Sequence, residues 1–389
     1  MLYEFVRFAD LSDDDISVWK SIISGDISLS SPFFEPAFTR IVSEVRDDVW
    51  IVLGRLDGAL KLIWPMQKAG RVAEPVGAPF SDYHGPIVAA GADFDPEEII
   101  NAVGLSVIRM TGVHDPSCRL HGYAQEFDGA FVVDVRKGVD AYFATQRELY
   151  SRHAKKQRRI KRKMEREVGP ISFDFDDRNE EHWSTLMRWK QRQYNETGRH
   201  NVLGPKWVQE MLYKLWKSDD DDCRGYLHTL THEGRLVAAE FNLGNKSTIH
   251  GWVPSYDPEF HSYSPGNMLQ DFIIEGMEDY GLSFYDLGVS AGHYKKYYVE
   301  YQIPVIRGAI RSSSVMSTLG GANERLWLKL EDAHIPKVSH VMGQIRRRYE
   351  IIRSAEPSFS GRMAGVASAA KNVVSGPKRS SELPEDTES

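Results

Sequence analysis

From Val49 the chain reads VWIVLGRLDGALKLIWPMQ, two apolar runs parted at Asp57-Gly58. That dipeptide favours a two-residue turn, so the pattern predicts a β-hairpin. A helix is expected just before it, from Phe34. Gly77 to Val88, GAPFSDYHGPIV, reads as a Gly/Pro-rich loop leading into a short strand. Pro96 to Met110 has the acid-rich start and apolar spacing of a helix. A further strand is expected at Ala130 to Val135. Residues 1–145 thus read as one mixed α/β unit.

A second unit, residues 170–320, opens on a strand, ISFDFDD, followed by helices at Trp183 to Tyr194 and Lys206 to Lys217. Strands then come quickly at Gly225 to Thr231, Gly234 to Leu243 and Thr248 to Val253. A helix from Gly266 to Tyr280, a strand SFYDLG, the segment YKKYYVEY and a last strand PVIRGAIR complete it. Between the units, residues 146–169 hold RELYSRHAKKQRRIKRKMER, where Lys or Arg fills about half the positions and apolar residues are too sparse for a core face. An exposed basic helix is predicted. It reads as a solvated linker, or as a surface for polyanions or an anionic membrane. Residues 321–354 suggest an amphipathic helical extension. Residues 355–389, rich in Ser, Gly, Ala and Pro, have the composition of a disordered tail.

A chain of 389 residues suits two domains and a tail. A formal charge of -7 argues against a protein devoted to nucleic acid, and no DNA partner is expected. Cys118 and Cys223 stand far apart in no metal-binding spacing, so no disulfide framework, zinc site or other metal is expected. The acidic start and the lack of a long apolar run point to a cytoplasmic protein, with peripheral contact at the inner membrane through the basic helix.

No H-E-x-x-H, G-x-S-x-G, Walker or dinucleotide fingerprint occurs. Candidate chemistry gathers instead between Gly234 and Tyr298. Glu240, His250, Asp257 and Asp286 are the candidates for acid and base work, and Asp286 lies in an otherwise apolar strand, where an acid costs stability unless paired or used. A structural hydrogen-bonding role for each stays open. Ser264, Gly266 and Asn267 open a helix whose N–H groups and dipole suit a pyrophosphate, although an ordinary capped start reads the same way.

Three segments carry a resemblance: GRLVAAEF, HGWVPSYDPEFHSYSPGNML and FYDLGVSAGHYKKYY, in this order and at these separations. Together they resemble the core of the CelD-like acyltransferases of polysaccharide biosynthesis, a branch of the GNAT superfamily. GAPFSDYHGPIV resembles the matching loop of that family's first half. The resemblance implies an α/β fold of two tandem GNAT-like domains, 1–145 degenerate and 170–320 catalytic, arranged as in the Fem-type transferases. It implies acyl-CoA, most simply acetyl-CoA, as co-substrate, with Lys295 and Lys296 placed to hold phosphates of the donor or the acceptor, a solvated pair being the alternative reading. Asp82, Tyr83, His84, Tyr256 and Tyr297 are then the acceptor-side candidates. HSYSPGNM has a single glycine where the usual GNAT phosphate loop has more small residues, which leaves an aminoacyl-tRNA donor open.

The expected activity is transfer of an acyl group, most simply N-acetylation, to a nucleotide- or lipid-linked sugar precursor in exopolysaccharide or adhesin synthesis. The acetyltransferase of holdfast adhesin synthesis is a similar case. The competing expectation is a regulatory binding module of exopolysaccharide output. In support of regulation, Arg346, Arg347, Arg348 and Arg353 form a basic cluster suited to cyclic di-GMP, since arginine forks pair with phosphates and stack on guanine.

Overall fold

Ser12 begins the first helix because its hydroxyl accepts from the Asp15 N–H while the Asp15 carboxylate answers the Ser12 backbone, a reciprocal cap. This helix follows the edge strand β1 (Leu2–Val6) and is α1 (Asp13–Ser24). The computed structural model describes residues 1–197, 199–289, 292, 294–312, 349, 351–356 and 363. The first half continues with α2 (Pro36–Val45), β2 (Val49–Leu56), β3 (Ala59–Ala69), β4 (Val72–Glu74), β5 (Ile87–Val88), α3 (Pro96–Ala102), β6 (Val107–Val113) and β7 (Ala124–Asp134). The hairpin of β2 and β3 turns at Asp57-Gly58 as expected.

One expectation fails here. The predicted helix Pro96 to Met110 ends at Ala102, and Val107 to Val113 is a strand. Gly104 lies at a positive φ of 68°, which stops the helix, and the β-branched Val107 and Ile108 then suit a pleated surface.

Helices α4 (Val139–Leu149) and α5 (Ser151–Glu167) link the halves, and α5 is the predicted basic helix. Then come β8 (Ser172–Asp174), α6 (Glu180–Glu196), α7 (Lys206–Lys217), β9 (Arg224–His232), β10 (Arg235–Gly244), β11 (Thr248–Tyr256), α8 (Pro265–Gly276), β12 (Phe284–Val289) and β13 (Tyr301–Arg311). In α7 the buried Trp207, Val208, Met211, Leu212, Leu215 and Trp216 repeat at helical spacing and make one apolar face. The predicted helix Gly266 to Tyr280 is α8 plus a short 3-10 turn at Glu278–Tyr280.

Among the described residues the two α/β halves share one sheet of 13 strands, in the order β1-β2-β3-β4-β6-β13-β7-β12-β11-β10-β9-β8, with β5 beside β3. The last strand, β13, returns to lie between β6 and β7 of the first half, antiparallel to both. In turn β7 pairs with β12 of the second half. One apolar cluster runs through both halves, joining Phe33, Phe38 and Ile51 to Trp183, Trp216 and Phe241. A second lies on the other face of the second half, under α8, and holds Ile249, Tyr285, Leu269 and Ile273. Among the described residues no helix is long and apolar enough to cross a membrane. Most of the helical extension and the tail, with Arg346, Arg347 and Arg348, lie outside the described residues.

Candidate active site

Strands β11 and β12 are parallel and pair only over Thr248–His250 against Phe284–Asp286. Beyond that point β11 stays with β10 as far as Tyr256, and β12 stays with β7 as far as Val289. The two strands therefore part, and the sheet opens at a notch. Glu240, His250, Asp286, Asp82 and Lys295 gather there.

Because side chains alternate along a strand, Tyr285 and Asp286 fall on opposite faces of β12. On the face beneath α8, the Tyr285 hydroxyl donates to Glu240 Oε1 at 2.6 Å. Burial raises the Glu240 pKa, against the lowering effect of this hydrogen bond and of one from Asn242. Gly251 makes room for the pair: a Cβ there would stand 2.9 Å from Glu240 Oε1.

On the opposite face His250 is fully buried, against the ring of Phe33 at 4.9 Å. Its Nε2 lies 3.1 Å from Asp82 Oδ2, and its Nδ1 lies 3.6 Å from Asp286 Oδ2, an ion-pair distance. Burial alone would push the His250 pKa down. Asp286 and Asp82 outweigh it and hold the imidazole at about 9, so it is charged at neutral pH. Burial works to raise the Asp82 pKa, but the contact with His250 prevails and keeps it low. The Asp82 side chain is 36% exposed, whereas His250 and Asp286 are closed off from solvent. Asp286 also accepts from the Gly288 N–H at 2.7 Å. Gly288 has a φ of +78°, and a Cβ there would stand 2.7 Å from Asp82 Oδ2, so both backbone and space require glycine.

Asp82 comes from the first half, on the loop before β5. Trp252 on β11 holds that loop by donating from Nε1 to the Phe80 carbonyl at 2.8 Å. Tyr83, beside Asp82, is buried, and burial followed by the charge of Asp286 raises its pKa well above the ordinary value. Lys295 is buried too, with Nζ donating to the Gly288 carbonyl at 3.3 Å. Burial lowers its pKa against the opposing pull of Asp82, Asp286 and Glu240, whose charges all reach it.

The other sequence candidates stand elsewhere. Asp257 caps the short 3-10 turn before α8, accepting from the Glu259 N–H, and pairs with Arg235. His84 is buried, accepts from the Thr111 N–H at 3.2 Å, and is held neutral by burial at a pKa of about 3. Tyr256 contacts His261 at 3.2 Å. Lys296 is exposed beside Tyr297, and Tyr297 stacks on His153 of α5 at 4.0 Å. Ser264, in a left-handed conformation, precedes α8 without a side-chain cap, and Gly266 and Asn267 form its first turn. Arg353 lies 3.5 Å from Glu74 of β4. Sequence reasoning missed Tyr285, Asn242, Gly251 and Gly288. The signal for the glycines was their place inside strands, which marks a close approach.

Residues 151–296 match the family described as Acetyltransferase (GNAT) domain, a span that includes α5, the notch and Lys295. A search of the curated proteins returned no match to this sequence. Among solved structures the chain is similar to FemX (10% identity, 79% of this chain and 96% of that one, TM-score 0.49). It is also similar to a tandem GNAT protein of the clavulanic acid biosynthesis pathway (10%, 80% and 99%, TM-score 0.45). The L-PGS of Bacillus licheniformis is a third such structure (13%, 81% and 96%, TM-score 0.42).

Proposed function

We propose that the protein transfers an acyl group, most simply acetyl, from acyl-CoA to an amine or hydroxyl acceptor at the notch between β11 and β12. The observation that carries this reading is the parting of those strands at a point where buried acids lie on both faces, Glu240 on one and Asp286 with the charged His250 on the other. Donor and acceptor approach from opposite faces: the donor from the side of α8 and Glu240, the acceptor from the side of Asp82, between the halves.

The acceptor atom attacks the thioester carbonyl, a new C–N or C–O bond forms, the C–S bond breaks, and the acceptor proton must leave. Glu240 is the base, because burial raises its pKa toward the range where a carboxylate takes up a proton usefully. Tyr285 orients it through the 2.6 Å hydrogen bond. Lys295, buried at the notch with its Nζ on the Gly288 carbonyl, is the donor to the oxyanion. The proton is finally delivered to the departing thiolate. Asp82, anionic and partly exposed, binds the acceptor.

The sugar precursor of exopolysaccharide synthesis is the acceptor favoured by the resemblance of the three second-half segments. A thiol-release assay with acetyl-CoA and nucleotide-linked amino sugars tests the reading. Glu240→Gln is expected to lower kcat by roughly 100-fold or more with little change in KM, as for loss of a general base. Asp82→Asn is expected chiefly to raise the KM of the acceptor. Unchanged kcat in Glu240→Gln would remove Glu240 from the mechanism, and no acyl transfer to any amine or hydroxyl acceptor would remove the reading itself.

A further inference from the structure

The register of β9 against β10 sets His228 directly opposite Glu240. Opposed residues of an antiparallel pair share one face of the sheet, with Cβ atoms about 4.5–5.5 Å apart. His228 therefore stands beside Glu240 on the face beneath α8. It belongs to no step of the transfer described above.

The imidazole is fully buried, and neither ring nitrogen has a hydrogen-bond partner. Its neighbours are aromatic: Phe175 packs edge-on at 4.4 Å, and Tyr226 at 6.1 Å and Phe173 at 6.5 Å lie parallel to it. Burial lowers its pKa to about 3, against a smaller pull from the Phe175 backbone, so the ring is neutral. A neutral imidazole carries one N–H and one bare nitrogen that can accept. Because β9 runs between β8 and β10, Phe175, just after β8, flanks His228 on one side and Glu240 flanks it on the other. An N–H drawn toward the Phe175 backbone leaves the bare nitrogen for the side of Glu240. Such a group costs stability that a phenyl ring in the same place would not.

The needs of Glu240 change as it works. As a carboxylate it accepts: the Tyr285 hydroxyl donates to it at 2.6 Å, and Asn242 favours the same charged form. The Asn242 carbonyl is taken by the Trp252 N–H at 3.3 Å. Once protonated, Glu240 bears an O–H, which in a buried place needs an acceptor. Lys190 of α6 and His250 of β11 favour the carboxylate, and Lys295 feels its charge. Helix α8, which covers this face, turns Asp271 to Tyr298 and leaves Glu275 exposed, and Asp174 of β8 is exposed as well. Among the described neighbours, the acceptor still without a donor is the bare nitrogen of His228.

We propose that His228 is a positioning residue for Glu240: it accepts a hydrogen bond from the carboxylic acid that forms when Glu240 takes the acceptor's proton. The acceptor's N–H or O–H bond breaks as the Glu240 O–H forms, and that O–H breaks in turn as the departing thiolate is protonated. His228 gains and loses a hydrogen bond and never a proton. Its place in catalysis rests on the acyl-transfer reading, whereas its pairing with protonated Glu240 does not.

The test uses the full chain with His228→Phe and His228→Gln. His228→Phe is expected to melt at or above the wild-type temperature, because an unpartnered imidazole gives way to an apolar ring among Phe173 and Phe175. Its kcat is expected to fall about tenfold or more, with the KM of acetyl-CoA and of the acceptor kept. The acid limb of its kcat profile moves to lower pH, since losing a bond to the protonated form lowers the Glu240 pKa. His228→Gln, whose amide oxygen can accept, recovers most of kcat and of the acid limb. In a Glu240→Gln background, His228→Phe has no further effect on kcat. In wild-type protein with isotope-labelled histidine, the bare-nitrogen resonance of His228 shifts upfield as pH falls through the Glu240 titration, far short of the shift for protonation.

Wild-type kcat and acid limb in a folded His228→Phe overturn the proposal, as does the same loss of kcat in the Glu240→Gln background. A nitrogen resonance that ignores the Glu240 titration also overturns it, and needs neither a variant nor turnover. If the wild type transfers no acyl group while the resonance follows Glu240, the acyl-transfer reading falls and the pairing stands.

Discussion

At the scale of single residues, the buried imidazolium between Asp82 and Asp286 dominates. Removing a charge that neutralises buried acids leaves them uncompensated, at a typical cost of about 3–5 kcal/mol. His250→Gln is expected to lose stability on that scale, and His250→Gln/Asp286→Asn to recover part of it, because the orphaned charge goes with the second change. Urea denaturation of the two variants checks this; equal losses would mean that packing against Phe33, not charge, is what His250 contributes. The pH dependence follows from the same contact. With a pKa raised from 6.5 to about 9, His250 stabilises the fold fully below pH 6.5 and loses that contribution as pH rises through about 9. A shift of this size is worth roughly 3 kcal/mol. Wild-type stability should therefore fall between neutral and alkaline pH by more than that of His250→Gln. Asp286 stands out in the sequence as an acid in an apolar strand, His250 as a histidine on a strand, and Asp82 enters through the resemblance of its loop. Their union is not legible there, since Asp82 and His250 are 168 positions apart and meet only because β11 and the first-half loop are brought together.

At the scale of elements, periodicity located α7 to the residue and the β9-β10-β11 meander nearly so, because their apolar positions repeat at clean helical or strand spacing. It failed at Pro96 to Met110, where an acid-led start was real but the apolar residues beyond Gly104 belonged to a strand. It also passed over β1 and α1, whose capping box at Ser12–Asp15 was available in the sequence. What no pattern reveals is where two parallel strands separate. That geometry depends on β7 drawing β12 one way and β10 drawing β11 the other. Gly251 lies where they part, and Gly251→Ala places a methyl group 2.9 Å from Glu240 Oε1. The variant is expected to displace the Glu240–Tyr285 pair and reduce kcat by about tenfold or more, with a stability cost of only about 1–3 kcal/mol for an overpacked site. Turnover at the wild-type rate would show that the Glu240 position tolerates movement.

At the scale of the whole molecule, the halves that read as separate domains in the sequence are joined through the sheet. Strand β13 completes the first half by filling the place between β6 and β7, and β7 in turn supplies the neighbour of β12. Polar contacts reinforce the join: Lys20 reaches Asp222, and Asn245 bonds the Ser30 carbonyl and Glu35. The apolar cluster of Phe33, Trp183 and Phe241 spans both halves as well. Domains with small polar interfaces unfold separately, but a shared sheet and a shared core couple their stabilities. Calorimetry of the full chain is therefore expected to show the two halves melting in one transition. A fragment of residues 1–145 would leave β6 and β7 without β13 between them, exposing strand edges and apolar positions such as Ile108 and Val132 that the full chain buries. Expressed alone, that fragment should aggregate or remain unfolded. Two resolved transitions in the full chain, or a soluble and cooperatively folding fragment, would show that the halves are independent and that β13 merely rests between β6 and β7.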